Sequence, residues 1–361
     1  MTESEYLTAI CAFTYFGPVR VNLLYTYFKT AKKIWQSTTD ELLETGLSEK
    51  KVQEFSDFRK NFDIKSYFEK LSKLNIKFVS FLDDDFPRAL KNLDGAPVIL
   101  YYKGSLKGLK SASVAIVGTR KMTSYGREVT EKFSGALSAL GVTIISGLAR
   151  GVDTAAHKAS LATGGITVAV LGNGLDSVYP PENKNLAEEI IEKGGAILSE
   201  YPLGAPALPV NFAVRNRIVS GLSSCVLVIE GAEKSGTLLT ASHAAEQGKT
   251  VFAVPGQITS PLSKAPLFLI KNGAKMATEV KDILDELDLE LKVDKEKMEK
   301  VVPTGPEEAN ILEYLENEPL YLDELVRISG SKTSEISARL TIMEMKGLVR
   351  NLGGGKYKKC N

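Results

Sequence analysis

The chain has 361 residues, 43% of them apolar and 25% charged, with a formal net charge of +1; this is room for two or three domains of ordinary globular composition, and the charge sum says nothing about nucleic acid, which responds to local patches. Three widely spaced cysteines (Cys11, Cys225, Cys360) argue against a disulfide framework or a cysteine-rich zinc site, and two histidines (His157, His243) leave little for a histidine metal centre, so no cofactor or metal is expected. No run approaches about 18 apolar residues and the opening MTESEY is no export signal, so the expectation is a cytoplasmic protein without a membrane segment.

Residues 1–65 read as short helices parted by glycine turns. Tyr15-Phe16-Gly17-Pro18-Val19-Arg20 interrupts one pair and Glu44-Thr45-Gly46-Leu47 another, in the manner of a SAM-like or helix-hairpin-helix module. Such turns either offer amides to a DNA backbone or simply pack and dock protein. Single glycine turns are common, which favours the second.

Residues 66–285 alternate apolar runs with helical stretches. Val98–Tyr102, between Pro97 and Gly104, reads as an entry strand. Six runs follow: Val114–Gly118, Thr143–Gly147, Thr167–Gly172, Ala196–Tyr201, Cys225–Gly231 and Thr250–Gly256. Continuous β-branched runs without alternation predict strands buried on both faces, hence a parallel sheet covered by helices. Ligands of such sheets bind at the carboxyl ends of the strands, which here carry Thr119-Arg120, Ser146-Gly147, Asn173, Glu200, Glu230 and Pro255.

The loops at those ends supply the chemistry. Gly118–Phe133 is a glycine, then polar residues, then a helix, an arrangement that offers amides and a helix N-terminus to an anion. It is not a GxGxxG fingerprint, and Arg120 suggests phosphate pairing or a structural pairing with a carboxylate. In Ser146–Leu161, Asp153 or Thr154 is expected to cap a helix near Ala155. His157 lies in that helix without a nucleophile beside it, and a histidine held by a neighbouring carbonyl is the favoured reading. In Gly172–Leu186, Tyr179-Pro180-Pro181 stiffens the loop, and Asn183 and Lys184 precede a helix where a lysine strengthens an anion site or points to solvent. In Leu208–Ser223, Arg215 and Arg217 flank Asn216 at an expected helix entrance, where they can bracket a phosphate. Gly231–Gly236 has Walker A spacing, but Thr237-Leu238 stands where Lys-Ser/Thr belongs, which leaves a Ser235-Gly236-Thr237 anion cradle and argues against an NTPase. Arg120, Lys184, Arg215, Arg217 and the 235–237 loop together predict a cationic crevice suited to a polyanion.

Residues 286–306 alternate acidic residues and lysines before Pro303-Thr304-Gly305-Pro306 and read as a solvated tether. Residues 307–361 read as helix (Glu307–Glu316), helix (Leu322–Ser329), helix (Lys332–Lys346) and hairpin (Leu348–Asn351 with Lys356–Lys358), which is winged-helix order. Lys332, Arg339, Lys346, Arg350, Lys356, Lys358 and Lys359 would suit DNA or a protein-docking surface.

The blocks VAIVGTR, SGLARGVDTAAH, LGNGLDSVYPPENKNL, SEYPLG, FAVRNRIVSGLS, EGAEKSGTLLTA and VFAVPG, in this order over about Asp85–Met276, resemble the DNA-processing protein A (DprA/Smf) family. The resemblance implies an α/β chain with an extended Rossmann-like core, flanked by an N-terminal helical and a C-terminal winged-helix-like domain. It further implies a homodimer that binds single-stranded DNA and protects it, and loads RecA recombinase during natural transformation. By motif position Arg120 and Lys184 would be the main strand-binding residues and Arg215 and Arg217 would help build the basic pocket, without catalysis. The alternative is a nucleotide phosphohydrolase of the lysine-decarboxylase-like fold, whose PGGxGTxxE block has a glutamate where this chain has Thr240. A transcription regulator would rest on 307–361 alone.

Overall fold

A computed structural model of the chain describes residues 1–287, 306–316, 318–345 and 348–359. Most of the expected tether at 286–306, together with Lys346 and Cys360, lies outside the described residues. The chain divides into two compact units, Met1–Lys110 with Val168–Leu222, and Ser111–Thr167 with Ser223–Asn361.

The first unit opens with α1 (Glu3–Cys11), α2 (Pro18–Phe28), α3 (Ala31–Gln36), α4 (Thr39–Glu44), α5 (Glu49–Asn61) and α6 (Ile64–Lys73). Thr-x-x-Glu spacing at Thr2–Glu5 and Thr38–Glu41 forms reciprocal capping boxes that start α1 and α4. Both predicted glycine turns fall between helices, and Pro18 takes the first position of α2. Phe13 packs its ring on Phe16 and Phe55 at 4.8 and 5.3 Å. Arg59 donates to the carbonyls of Trp35 and Ser37 at 2.8 and 2.9 Å, satisfying groups that the end of α3 leaves over.

The chain continues through β1 (Lys77–Ser80), α7 (Arg88–Lys91), β2 (Ile99–Gly104), β3 (Ser113–Val117), α8 (Ser124–Ala139), β4 (Thr143–Ser146), α9 (Val152–Ala162), β5 (Thr167–Val170), α10 (Lys184–Glu192), β6 (Ala196–Ser199), α11 (Pro209–Leu222), β7 (Cys225–Val228), α12 (Gly236–Glu246), β8 (Thr250–Ala253), α13 (Lys264–Lys271), β9 (Lys275–Met276) and α14 (Val280–Glu286). All six predicted runs and the entry run are strands. The short edge strands β1 and β9 were not predicted.

In the first unit the strands lie in the order β1-β2-β6-β5, with β5 and β6 parallel and β1 and β2 added antiparallel. In the second they lie in the order β4-β3-β7-β8-β9, all parallel. Val114, Ile116, Ile144, Leu227 and Phe252 of those strands bury their side chains with Phe133 and Leu137 of α8 and Ile283 of α14, as the unbroken apolar runs require.

The second unit ends with α15 (Pro306–Tyr314), β10 (Leu320–Tyr321), α16 (Leu322–Ser329), α17 (Thr333–Met345), β11 (Val349–Asn351) and β12 (Lys356–Lys359), with β10 and β11 both paired antiparallel to β12. Ile311, Leu325, Ile336, Leu340, Met343, Val349 and Tyr357 form its core, and the order is that of a winged helix. The third helix, α17, is covered on a further side, because Ala338 packs against Gly135 of α8. A Cβ on Gly135 would lie 3.2 Å from that of Ala338. Among the described residues no helix is long and apolar enough to cross a membrane.

Candidate nucleic-acid interface

In the second unit the chain leaves β3 in one direction to β4 and in the other to β7, β8 and β9. The reversal between β3 and β7 is where ligands of open α/β sheets sit. Its walls are the loops 118–123 and 230–236, and Glu230 fills the space between them. The Glu230 side chain is buried, and its carboxylate accepts the Thr123 N–H at 2.9 Å and the Thr123 hydroxyl at 2.6 Å. Thr123 in turn caps α8 by accepting the Gly126 N–H at 3.0 Å. A side chain on Gly126 would overlap the Glu230 carboxylate. The expectation that this loop offers its helix N-terminus to an outside anion is therefore corrected: the anion at α8 is internal.

What the loop does present is Arg120, which is exposed. Its neighbours are pinned, Thr119 N–H donating to the Glu230 carbonyl at 2.7 Å and Val152 N–H to the Thr119 carbonyl at 3.2 Å. Gly151, at φ +75°, closes on the backbone of Thr119 and Arg120 so tightly that no Cβ fits. That contact brings Arg150, also exposed, beside Arg120. The sequence reading passed over Arg150 and the exposed Lys121, although both stand in motifs it quoted.

Asp153 does not sit at the cap position predicted near Ala155. Helix α9 begins at Val152, and the Asp153 carboxylate reaches back to accept the N–H groups of Gly147 and Ala149 at 3.1 and 3.3 Å. Those bonds flank Leu148, held at φ +57°, a left-handed conformation that costs a leucine about 1–2 kcal/mol. His157 is fully buried with Nδ1 2.6 Å from the Thr167 hydroxyl, which itself donates to the Ile144 carbonyl at 2.8 Å. The Nδ1 therefore carries the proton and donates it to the hydroxyl, so a threonine is one of the groups that hold this histidine.

The 231–237 loop is pinned by Gly231 N–H to the Leu262 carbonyl at 2.7 Å and Ala265 N–H to the Gly231 carbonyl at 2.9 Å. Helix α12 starts at Gly236, which is exposed, while Thr237 is buried. The Ser235 Oγ is buried without a hydrogen-bond partner and turns toward the Gly231 Cα. Of the predicted cradle, the exposed part is the backbone at Gly236.

The first unit carries the other predicted residues. Asn173 is fully buried and organises the loop after β5, its Nδ2 donating to the carbonyls of Gly174 and Ser177, both at 2.9 Å. Asn183 is buried at the end of a 3-10 turn (Pro181–Asn183), and Lys184 behind it is exposed at the start of α10. Arg215 and Arg217 do not stand at a helix entrance. Helix α11 starts at Pro209, so they lie in its second and third turns, turned inward. Arg215 is 5% exposed and donates to the Val170 carbonyl at the end of β5. Arg217 pairs with Glu200 at 2.6 Å, the two side chains 11% and 8% exposed. Burial raises the Glu200 carboxyl above its ordinary range, and the Arg217 charge opposes that rise. The expected phosphate brackets are thus braces between α11 and the strand ends. Tyr179 stacks its ring on Phe212 at 5.3 Å, a pair the sequence reading missed because the two residues come from separate motifs.

In the winged helix Arg339 pairs with Glu307, Lys359 with Glu316 at 2.9 Å, and Lys356 lies over the Tyr321 ring at 5.1 Å. Arg350 and Lys358 face each other across the hairpin, both exposed. Among the described residues no three His, Cys, Asp or Glu side chains converge to hold a metal ion.

The sequence profile of DNA recombination-mediator protein A matches residues 77–288, and that of the DprA winged helix domain matches residues 296–355. Protein Smf of Escherichia coli is 38% identical over 328 residues, covering 87% of this chain and 85% of that protein. The crystal structure of DNA processing protein A from Streptococcus pneumoniae superposes with a TM-score of 0.68 at 36% identity, over 79% of this chain and 99% of the other. DNA processing protein A from Helicobacter pylori, described for its single-stranded DNA binding mode, superposes with a TM-score of 0.54 at 30% identity, over 59% and 97%. With a profile match over more than half its length and a relative of this identity aligned along most of it, the chain belongs to the DprA/Smf family of DNA recombination-mediator proteins.

Proposed function

We propose that the chain binds single-stranded DNA with little sequence preference, protects it, and loads RecA recombinase onto it during transformation or recombination, as a cytoplasmic homodimer without catalytic activity. The observation that carries the DNA reading is that exposed cations, Arg120 with Arg150 in one unit and Lys184 in the other, stand on loop ends fixed from beneath by buried groups. Fixed cations suit the regular charges of a phosphate backbone. Arg120 and Lys184 are the proposed phosphate contacts, with the exposed backbone at Gly236. Asn183, Arg215, Arg217, Ser235 and Thr237 position the loops. The single-stranded DNA binding mode described for the H. pylori relative supports the choice of strand. RecA loading, strand protection and the dimer rest on family membership. Against the phosphohydrolase alternative stands Thr240, at the position where its block has a glutamate.

The test is a fluorescence-anisotropy titration with single- and double-stranded oligonucleotides across a salt series. Single strands should bind more tightly than duplex, and log affinity should fall by about 0.7 per phosphate contact for each tenfold rise in salt. Arg120→Ala and Lys184→Ala should each weaken binding and change stability by no more than about 0.5 kcal/mol, as exposed side chains do. Wild-type affinity in the double variant refutes the assignment.

A further inference from the structure

The loop that carries Lys184 also carries an aromatic ring turned to solvent. Tyr179 is 43% exposed. Its inner face lies on Phe212 with ring centroids 5.3 Å apart and planes inclined by 24°. Phe212 is half-buried and has a floor of its own: Gly172, at the end of the run after β5, has no room for a Cβ, which would come within 2.8 Å of the Phe212 ring. Leu208, one turn before Phe212, is 45% exposed. Gly172, Phe212 and Tyr179 thus form a supported stack whose outermost member shows a flat, open face. The ring is not needed to seal a core, because Phe212 already lies over the loop beneath it. Lys184 stands five residues further along, past the single 3-10 turn Pro181–Asn183, and is exposed.

A braced aromatic face with a cation beside it is how proteins hold an unpaired base while its backbone charge is neutralised. In a duplex the base faces are closed by their neighbours, so this face serves only single strands and tolerates any base. We propose that Tyr179, supported by Phe212, stacks on a base of the bound single strand, next to the phosphate that Lys184 contacts. The inference rests on the function proposed above and names the group that would make that binding selective for unpaired strands.

The test uses the full chain and two fluorescent probes of equal length, an oligothymidylate and an otherwise identical strand of abasic sugar phosphates. Tyr179→Ala should weaken binding of the oligothymidylate about tenfold, in the range found when stacking rings are truncated, and should leave the abasic strand unaffected. Tyr179→Phe should keep wild-type affinity, and Lys184→Ala should weaken both probes. In Tyr179→Trp the added indole should be quenched by the oligothymidylate and not by the abasic strand, measured against the single native Trp35. Equal losses on both probes, or none on either, overturn the stacking while leaving the function reading in place. Wild-type protein that binds neither strand overturns both.

Discussion

Glu230→Gln isolates the charge that closes the switch point. The glutamine keeps the length and one acceptor oxygen of the glutamate, so it leaves the packing beside Gly126 in place. It removes the charge from both hydrogen bonds, its one oxygen accepting the Thr123 N–H found at 2.9 Å and its amide N–H donating to the Thr123 hydroxyl that the second carboxylate oxygen accepts from at 2.6 Å. A hydrogen bond to a charged group contributes about 1.5–3 kcal/mol and a neutral one about 0.5–1.5, so two of them lose about 2 kcal/mol together. A carboxylate at the start of a helix adds about 0.3–1 kcal/mol, offset in part because a buried charge is costly to desolvate. The net expectation is a loss of about 2 kcal/mol, or roughly 4–8 °C in the Tm of a body of 150–250 residues. Urea midpoints should move while the m-value stays, and the double variant with Thr123→Val should lose less than the sum of the two single losses. Single-strand affinity should fall as well, because the Arg120 loop is tied through Thr123 to the replaced carboxylate. An unchanged Tm, or additive losses in the double variant, refutes the view that Glu230 is the internal anion of α8.

Two further outcomes follow from buried contacts. Burial holds the Lys249 ammonium down to about 8 from 10.5, with its Nζ donating to the Ser223 carbonyl at 2.6 Å; between those pH values the unfolded chain binds more protons, so stability should rise from pH 8 to 10.5, and the rise should vanish in Lys249→Met. Urea midpoints across that range check it, and a slope that survives in the variant removes Lys249 as the cause. Gly135→Leu should force α17 away from α8, since even a Cβ there would stand 3.2 Å from that of Ala338; hydrogen exchange should quicken over 333–345, and unchanged protection would mean that this contact does not hold the winged helix.

The strands were legible because a run buried on both faces needs no partner to be recognised; its β-branched residues say so locally. The winged helix was legible for a similar reason, each helix having its own apolar period. Arg215 and Arg217 were misplaced because an arginine in a sequence shows its charge and not its partner. Their partners, Val170 and Glu200, stand 45 and 17 residues away. One local signal was present: Pro209 suits the first turn of a helix, which would have set the start of α11 well before the arginines. Glu230 was read as a strand end, and its bond to Thr123 spans 107 residues. Arg120 and Lys184 are exposed, as their loop positions beside glycine and proline suggested.

The filled switch point also bears on what kind of ligand the chain takes. In a dinucleotide fold, glycines after the first strand let the backbone approach a pyrophosphate, and the helix N-terminus receives its charge. Here Gly118 lies against Val152, Gly126 against Glu230 and Gly151 against Arg120. All three glycines serve approach of protein to protein, and Glu230 takes the place of the anion. A small phosphate ligand finds no empty cradle at α8. The exposed cations of these loops are Arg120, Lys121 and Arg150. Side chains reaching outward from a rigid base match a ligand that passes over the surface, as a strand does, better than one that enters it. The proposed single-strand reading therefore draws on the same residue that stands in the anion position of the nucleotide reading, and replacing Glu230 tests both at once.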